Sequence, residues 1–514
     1  MNNKINYKSG LSAIEDTAFL EKCVELYSNH YGKWSDKGVN PHSNIKLSKA
    51  RLTNWLEKEK TNIYYTYDDE KLIGYAIVCR KNIKDFGVVS WVTQLVVHTE
   101  YRNRGIAKNL LYSIWCMSND KAWGIVSSNP YAIRALEKAT RRRTDPVRIK
   151  KNYRRLLNIS AEFTPYINSE TEIEINKGTS QINTNFHVDH SNNENKIKNI
   201  VSQDVKWTLG DLKDGWEWFA FTFNDQEQIE LTTEEIANMI SASEEITQKA
   251  YERMELNDTN HKWMKHTKDE TDYIVKKCDI TNDDLVFDFG CGVGRHSVQL
   301  SYYCKKVIGI DYIGKNIETA KFNAERSNYK NVVFIKDDCR SFKYKDQADA
   351  IICLYDVIGT FKKSIDNENI IKQISYNLKL GGRALISVMN YESTEYNAIY
   401  KFEFDKNPNE ILKLPSSDTM EKTGNIFDPN YYLVDTKTKI IYRKEQFSPK
   451  NDIPVEYVVM DKRFSMDEIV TLCEKNHLEV IEKKYVNASN WEKDLTSTDK
   501  KAKEILLLCR KTLN

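Results

Sequence analysis

The chain lacks the sequence features that mark membrane-spanning and secreted proteins. No stretch approaches the roughly 18 consecutive apolar residues that a transmembrane helix needs, and residues 1–6 lack the apolar core of a secretory signal. The 76 basic and 74 acidic side chains leave a net charge of only +2, so no global field draws the chain to nucleic acid or to a membrane. These absences predict a cytoplasmic protein with no membrane partner.

Cysteine pairs are also lacking. The ten cysteines are scattered along 514 residues with no C-x-x-C spacing, which favours reduced thiols over a disulfide framework or a zinc site. His187, Asp189 and His190 form one compact group that could bind a metal or serve as a base, but no third histidine or cysteine lies at ligand spacing. We therefore interpret this group as a hydrogen-bonding loop and predict no metal.

The length allows two or three domains, each able to bury a core. Residues 1–160 have the pattern of an α/β domain, and residues 161–235 form an aromatic-rich extension or linker that we expect to pack on it. Residues 236–514 alternate short apolar runs with helical segments, which predicts a mostly parallel, doubly wound sheet. That alternation is interrupted at about residues 391–460.

The first motif that suits a cofactor is Arg102-x-x-Gly105-x-Ala107, which follows a strand-forming run ending at Val97 and opens a helical pattern. Glycine has no Cβ to block the approach of an anion, and the N–H groups at a helix start face that anion. Arg102 and Arg104 add positive charge, so the motif predicts a pyrophosphate site. A Rossmann dinucleotide loop is excluded because a second glycine pair and an acidic residue at the next strand end are both missing.

Residues 94–107, QLVVHTEYRNRGIA, resemble the strand–loop–helix signature of the GNAT-type N-acetyltransferase superfamily, and residues 129–133, NPYAI, resemble its second motif. The resemblance covers roughly residues 10–145 and implies a mixed α/β domain that uses acetyl-CoA. It implies that the backbone of Leu95 and Val97 binds pantetheine and that Asn129 lies at the thioester end. The residues that it implies for the pyrophosphate are Arg102, Asn103, Arg104, Gly105, Ile106 and Ala107.

The family's proton donor is missing from its usual position. The resembled family often carries a tyrosine seven residues after the asparagine, where this chain has Leu136. Tyr131 is the candidate substitute acid, and Gln94 could orient a water but cannot act as a base. Two interpretations stay open: an active acetyltransferase, or a domain that only senses acetyl-CoA and gates the rest of the chain.

The second motif is Asp288-x-Gly290-x-Gly292-x-Gly294, which directly follows the apolar run 285–287. Its glycines let the main chain pass close to a nucleoside and an amino-acid tail. No G-K-[ST] follows, which excludes a Walker loop.

Acidic residues end the next two apolar runs. Asp311 suits a ribose diol, and Asp338 with Cys339 suits an adenine amine. With the late Gly381-Gly382 turn, this series resembles the class I S-adenosylmethionine-dependent methyltransferases across roughly residues 245–510. The residues assigned to S-adenosylmethionine on this basis are Asp288, Gly290, Cys291, Gly292, Gly294, Asp311, Asp338, Cys339 and Leu354.

Methyl transfer depends mainly on positioning, so catalytic residues are hard to identify from sequence. Tyr355 and Asp356 follow the fourth strand, where members of the resembled family place groups that face the substrate. The N/D-P-P-[YF] tetrapeptide of amino-directed DNA methyltransferases is absent there. The interruption at about 391–460, followed by Arg463, resembles the substrate lid of small-molecule methyltransferases.

One segment favours a different substrate class. Residues 134–155 hold ten basic side chains against two acidic ones, which could bind RNA or the 3′-phosphate of CoA. We favour a small amine-bearing metabolite that is N-acetylated and methylated by the same chain. A tRNA or other nucleic-acid modifying enzyme is the alternative, and the oligomeric state stays open.

Overall fold

The computed structural model describes residues 5–58, 61–115, 118, 120–240, 265–326, 331–415, 427–447, 455–487 and 490–512. The chain divides into two compact units, one of residues 1–246 with 447–457 and one of residues 247–446 with 458–514. Within the described ranges, no helix is both long and apolar enough to cross a bilayer.

The first unit is built around one mixed sheet. Its helices and strands include β1 Ile5–Ser9, α1 Gly10–Glu15, α2 Thr17–His30, α3 Lys49–Leu56, β2 Thr61–Asp68, β3 Lys71–Ile83, β4 Gly87–Val97, α4 Ile106–Trp115, β5 Ala122–Ser127, α5 Pro130–Thr140, α6 Pro146–Phe163, β6 Ile173–Asn176, β7 Thr179–Asn183, α7 Asn193–Val201 and β8 Trp216–Phe223, and residues 233–240 are also helical.

The eight strands of this sheet lie in the order β1-β2-β3-β4-β5-β8-β7-β6. Residues 72–80 of β3 are buried without interruption, as expected for a central strand covered on both faces. Strands β4 and β5 are parallel, and their pairing ends at Val92 and Ile125 although β4 continues to Val97 and β5 to Ser127. The two strands therefore separate toward their carboxyl ends and open a wedge in the sheet.

The second unit alternates strands with helices and then adds a smaller sheet. Its elements are α8 Thr267–Cys278, β9 Leu285–Phe289, α9 Arg295–Leu300, β10 Lys306–Asp311, α10 Gly314–Arg326, β11 Val332–Lys336, β12 Ala348–Cys353, α11 Ser364–Asn377, β13 Leu378–Met389, α12 Tyr391–Asn397, β14 Tyr400–Phe402, β15 Tyr432–Asp435, β16 Ile440–Phe447, β17 Val455–Lys462, α13 Met466–Lys475, β18 Leu478–Asn487, β19 Asn490–Leu495 and β20 Glu504–Lys511.

The main sheet of this unit has the order β11-β10-β9-β12-β13-β20-β18-β19. The first five strands in that order are parallel and the last three are antiparallel. Their apolar residues are buried against helices, which confirms the predicted fold class: a mixed α/β domain followed by a Rossmann-like, doubly wound domain. The carboxyl ends of the parallel strands meet at one edge of the sheet.

The predicted domain limits can be compared with the described residues only in part. The segment 161–235 contributes β6, β7 and β8 to the first sheet, whereas the expected start of the second domain at 236 leads into 241–264, outside the described residues. The predicted lid at about 391–460 contains the sheet β14-β15-β16-β17, and 416–426 and 448–454 also lie outside the described residues. The domain limits stay predictions.

Candidate functional site

A cavity of about 800 Å³ opens between the separated ends of β4 and β5. Its wall contains residues 93–97 of β4, the loop and helix start at 101–108 except Arg104, and residues 125–132 except Pro130. The sequence-predicted residues that line it are Leu95, Val97, Arg102, Asn103, Gly105, Ile106, Ala107, Asn129 and Tyr131. The structure therefore brings both motifs of the first unit to one cavity.

The lining of this cavity is strongly positive. The lining contains five cationic side chains and only one carboxylate, that of Asp189. This surplus of positive charge favours a polyanionic ligand. Burial lowers the pKa of Lys138 and of Lys196, with further lowering by neighbouring arginines. The cationic residues are Arg102, Lys108, Arg134, Lys138 and Lys196.

Gly105 has the backbone conformation that a cradle for an anion requires. Its φ is +80°, and a Cβ built on it would meet no atom within 4 Å, so the space in front of it is open. Helix α4 begins at the next residue, and the N–H of Asn109 donates to the Gly105 carbonyl at 2.9 Å. A pyrophosphate fits this open space in front of the helix start.

The two arginines of the motif make different contacts, and only Arg102 lines the cavity. Arg102 donates from Nε to the Val97 carbonyl at 3.2 Å and from Nη2 to the carbonyl of His30, and burial lowers its pKa. Arg104 lies over the ring of Tyr101 at 5.2 Å. Arg102 thus ties the loop to α2 while it lines the cavity, and Arg104 stands outside the lining.

Asn129 and Tyr131 form the start of α5. The Asn129 side chain accepts a hydrogen bond from the Tyr131 N–H at 3.2 Å and caps the helix, with Pro130 at its first position. The Tyr131 hydroxyl accepts from Asn199 Nδ2 at 3.1 Å. Leu136 is fully buried, so the position that carries a tyrosine in the resembled family is a core position in this chain.

Two buried polar groups near this cavity were only partly predicted. Gln94 lines the cavity and accepts from the Tyr75 hydroxyl at 2.8 Å, while its Nε2 has no partner among the described residues. Glu217 of β8 is 1% exposed, and burial raises its pKa to about 7, although Thr184 and the Ser128 backbone favour the carboxylate. No motif marks Glu217, because its neighbours come from distant parts of the chain.

The histidine group makes hydrogen bonds and a salt-bridge contact in and beside its own loop. His187 pairs with Asn185 at 3.1 Å and with Asp214 at 3.2 Å, and His190 Nδ1 contacts the Val188 carbonyl at 2.9 Å. The part of the chain that the structure describes holds no group of three His, Cys, Asp or Glu side chains placed to bind a metal.

Half of the ten basic side chains in the segment 134–155 are paired with carboxylates or buried. Glu137 pairs with Arg134 and Arg143, and Arg148 pairs with Asp145 and Asp225. Arg141 and Arg142 are buried. The exposed cations that remain are Lys138, Lys150, Lys151, Arg154 and Arg155.

In the second unit, the predicted glycine loop links β9 to α9 and has φ values in the left-handed region. A Cβ on Gly290 (φ +73°) would stand 2.3 Å from Val357 Cγ2, so close packing excludes any side chain there. A Cβ on Gly292 (φ +53°) would meet no atom within 4 Å. The N–H groups of Gly290 and Cys291 donate to the Ile310 carbonyl at 2.8 and 3.0 Å, which fixes the loop against β10.

Two carboxylates hold the ends of β9 and β10. Asp288 accepts from Ser297 Oγ at 2.5 Å, and burial raises its pKa to about 6. Asp311 accepts from the N–H of Gly292 at 2.9 Å and from that of Ile313 at 2.8 Å, and burial raises its pKa as well. Each carboxylate oxygen has further lone pairs, so Asp311 can also accept from a diol.

Asp338 follows β11 and is paired with a cation. Arg340 contacts both of its oxygens at 2.6–3.0 Å and also contacts Asp366 at 3.3 Å. Burial raises the pKa of Asp338, but Arg340 outweighs that effect and the net pKa is lowered. Cys339 is buried beside it, and burial raises its thiol pKa.

Tyr355, a predicted catalytic residue, belongs to a buried polar cluster that the sequence did not indicate. Its hydroxyl donates to Glu270 Oε1 at 2.5 Å. Glu270 Oε2 accepts from Arg295 Nη1 and contacts His296 Nε2, both at 2.8 Å. Burial lowers the pKa of His296 to about 4, so its ring is neutral at pH 7 and Nε2 carries the proton that Glu270 accepts.

The remaining predicted residues follow β12. Leu354 is buried, whereas Asp356 is half-buried. Burial lowers the pKa of the Arg463 guanidinium to about 9, and the negative charge of Asp356 partly opposes that shift. The predicted set Asp288–Gly294, Asp311, Asp338 and Tyr355 thus follows the carboxyl ends of four parallel strands, at one edge of the sheet.

Part of each unit matches a known protein family. Residues 59–143 match the family model of an acetyltransferase (GNAT) domain, and residues 280–426 match that of a methyltransferase domain. The chain is 34% identical over 77 residues to an uncharacterised RNA methyltransferase of Chlorobaculum tepidum, a match that covers 15% of this chain and 16% of that protein. It is 40% identical over 62 residues to a probable cobalt-precorrin-6B C(15)-methyltransferase of Methanocaldococcus jannaschii, covering 12% and 34%.

The chain spans only these short parts of the curated relatives. Among solved structures, an S-adenosylmethionine-dependent methyltransferase from Clostridium acetobutylicum aligns with 52% of this chain and 98% of its own, at 14% identity and a TM-score of 0.34. This polypeptide carries a GNAT acetyltransferase domain and, after it, a methyltransferase domain.

Proposed function

We propose that this chain is a two-headed transferase that N-acetylates and methylates a small amine-bearing metabolite. The observation that carries the proposal is the pair of glycines Gly105 and Gly292. Each has a positive φ, each lies in a loop that leads into a helix, and each faces open space where a Cβ would stand. Two separate loops on one chain thus offer room for two different cofactors.

In the first unit, acetyl-CoA fits the cavity between β4 and β5. The main chain of Leu95 and Val97 would bind the pantetheine amides, and the N–H groups at the start of α4 would bind the pyrophosphate. Tyr131 would hold the proton that the leaving thiolate needs, and Asn199 orients its hydroxyl. Bound acetyl-CoA would supply the activated acyl group.

In the second unit, S-adenosylmethionine fits the loop after β9. Asp311 would bind the ribose diol, Asp338 and Cys339 would lie beside adenine, and Asp288 with Gly290 would lie near the methionine part. Leu354 and Asp356 would lie beside the reacting methyl group. The bound sulfonium would supply that methyl group, and these residues orient it toward the acceptor.

Isothermal titration with each cofactor tests the proposal. Gly105→Glu should abolish acetyl-CoA binding alone, because its carboxylate would enter the pyrophosphate space, and Gly292→Glu should abolish S-adenosylmethionine binding alone. Gly381→Glu is a matched control, since Gly381 also has a φ of +80° and no atom within 4 Å of a Cβ, yet it lies near the amino end of β13. Binding of neither cofactor to the unaltered protein would overturn the proposal.

A nucleic-acid substrate is the alternative, and two observations bear on it. Some curated relatives are named RNA methyltransferases, although they match only 11–15% of this chain. The exposed cations Lys150, Lys151, Arg154 and Arg155 lie on α6 and are the surface that RNA would contact. RNA that co-purifies and is released by salt would favour this alternative, and its absence would favour the metabolite.

A purely regulatory first unit is the other alternative. Acetyl transfer by the full chain to a panel of small amines, measured as free thiol release, would exclude a sensing role. Acetyl-CoA that binds without any transfer, and that changes the methyl-transfer rate, would support it.

A further inference from the structure

Arg463 is a buried cation that makes few hydrogen bonds to the described residues. The residue is 1% exposed, and its Nε and Nη2 have no hydrogen-bond partner among the described residues. Its Nη1 donates to Thr394 Oγ1. No use of this guanidinium follows from the cofactor residues described above.

The backbone fixes Arg463 at the carboxyl edge of the main sheet. Its N–H donates to the Lys439 carbonyl at 3.0 Å, and the following Phe464 N–H donates to the carbonyl of Met389, the last residue of β13, also at 3.0 Å. Burial lowers the pKa of Arg463 to about 9, and the charge of Asp356, which follows β12, partly opposes that shift. The guanidinium therefore stands at the edge where methyl transfer is proposed to occur.

The two unused atoms define the geometry of the missing partner. In a guanidinium, Nε–H and one Nη2–H point in parallel from the same edge, and this edge matches the two oxygens of a carboxylate. The opposite side of the group is occupied by Thr394. The unused edge thus offers a bidentate site for one planar anion.

The neighbouring Arg443 is also a buried guanidinium, but carboxylates of the same chain pair with it. Arg443 is 4% exposed and donates from Nε to Glu445 at 2.6 Å and from Nη1 to Asp461. A buried charge without such a partner is costly to retain. Arg463 makes no hydrogen bond to a carboxylate in the described residues, so its Nε–Nη2 edge is open to a carboxylate partner that those residues do not supply.

The surroundings of Arg463 also suit an organic anion. The rings of Phe427 and Tyr432 lie 5.2 and 5.7 Å from its guanidinium carbon, and Lys503 Nζ lies 4.8 Å from the Phe427 ring. Burial, followed by the charge of Arg463, lowers the pKa of Lys503 to about 8. Two cations thus share a half-apolar setting with aromatic walls.

We propose that the Nε–Nη2 edge of Arg463 binds a carboxylate of the methyl acceptor, with Lys503 as the second cation. The proposal rests on the proposed methyl transfer and narrows its substrate class. The acceptor is then an amine-bearing metabolite that also carries a carboxylate, and its acid group sets its orientation at the carboxyl edge of the sheet.

The test compares acids with their uncharged counterparts on the full chain saturated with S-adenosylhomocysteine. Acetate and benzoate are titrated against acetamide and benzamide at matched ionic strength, and binding is followed by thermal shift and by saturation-transfer NMR. We expect the acids alone to bind the unaltered protein. Equal responses to acid and amide would overturn the proposal.

Variants of Arg463 test whether this residue causes the preference for acids over amides. Arg463→Gln should remove the preference for the acid, and Arg463→Lys, which keeps the charge but loses the fork, should weaken acid binding roughly tenfold. Arg510→Gln removes the same charge from an exposed pair with Glu479 and should change nothing. An acid preference that survives in both Arg463 variants would contradict the assignment.

A separate titration with S-adenosylmethionine distinguishes the two levels of failure. If this cofactor does not bind, the proposed methyl transfer itself fails. If it binds and the acids show no preference over the amides, only the carboxylate site is wrong.

Discussion

The hydroxyl of Tyr355 donates to Glu270 Oε1 at 2.5 Å, and this bond joins the residue after β12 to helix α8. Glu270 also accepts from Arg295 and contacts His296, so the phenol completes a buried cluster. Burial raises the pKa of Tyr355, which keeps the phenol protonated as the donor. We therefore propose that Tyr355 positions this end of the sheet and does not take part in the chemical step.

Tyr355→Phe should show whether Tyr355 only positions its neighbours or takes part in the methyl-transfer step. Loss of the bond to Glu270 should lower stability by about 1–2 kcal/mol and reduce kcat for methyl transfer less than tenfold. Thermal midpoint and steady-state kinetics measure both effects. A hundredfold loss of kcat at unchanged stability would instead assign the phenol to the chemical step.

Gly290→Ala should mainly lower stability, whereas Gly292→Ala should mainly weaken the binding of S-adenosylmethionine. Both residues have positive φ, so each alanine should cost about 1–2 kcal/mol in unfolding free energy. Gly290→Ala should cost about 1–3 kcal/mol more, because its Cβ would overlap the Val357 side chain. Chemical denaturation gives the stabilities, and titration of S-adenosylmethionine should reveal weaker binding in Gly292→Ala.

The double variant Gly290→Ala with Val357→Ala is the control for that difference. Shortening Val357 removes the atoms at 2.3 and 2.9 Å and should recover part of the stability. If it recovers none, the overlap with Val357 is not the cause.

Tyr131→Phe should lower kcat for acetyl transfer about tenfold or more and leave the affinity for acetyl-CoA unchanged. The hydroxyl lies in the cavity wall and is oriented by Asn199, so its loss removes a proton donor without removing a binding surface. Tyr153→Phe on α6 is the matched control, since that phenol contacts Arg154 outside the cavity lining. Equal rates for Tyr131→Phe and the unaltered chain would mean that solvent supplies the proton.

Glu217→Gln should stabilise the protein only at the higher pH values. The folded pKa of Glu217 is raised to about 7 by burial, so the ionised form is disfavoured and the penalty grows as pH rises from about 4.5 to 7. Removing the ionisable group should therefore gain up to about 3 kcal/mol above pH 7 and little below pH 4.5. Thermal midpoints at pH 5 and pH 8 give the comparison, and a gain that is equal at both would contradict the shift.

Both glycine loops could be predicted because their signals are local. A strand, a glycine at positive φ and a helix start lie within about 15 residues at each site, so one short stretch of sequence contains the whole motif. The strands that follow in the second unit were predicted for the same reason, since each is a short apolar run between turns.

The groups that complete each site could not be predicted in this way. Glu270 and Tyr355 are 85 residues apart, and Arg463 lies 69 residues from Thr394. Arg102 was expected to face an anion, but its guanidinium also holds the carbonyl of His30, 72 residues earlier. Such pairings depend on tertiary packing and leave no pattern in a single sequence.

The pairing of β4 with β5 ends before β4 does, so the last residues of β4 have main-chain groups that do not pair with β5. This determines which substitutions these residues should tolerate. Any ligand arm in the wedge meets main-chain amides and carbonyls, which are the same for every residue type apart from proline. Replacement of Leu95 or Val97 by another strand-forming residue should therefore preserve that recognition, whereas proline should destroy it. If a ligand arm binds there like an additional strand of the sheet, the side chains of β4 could vary for packing without loss of that pairing.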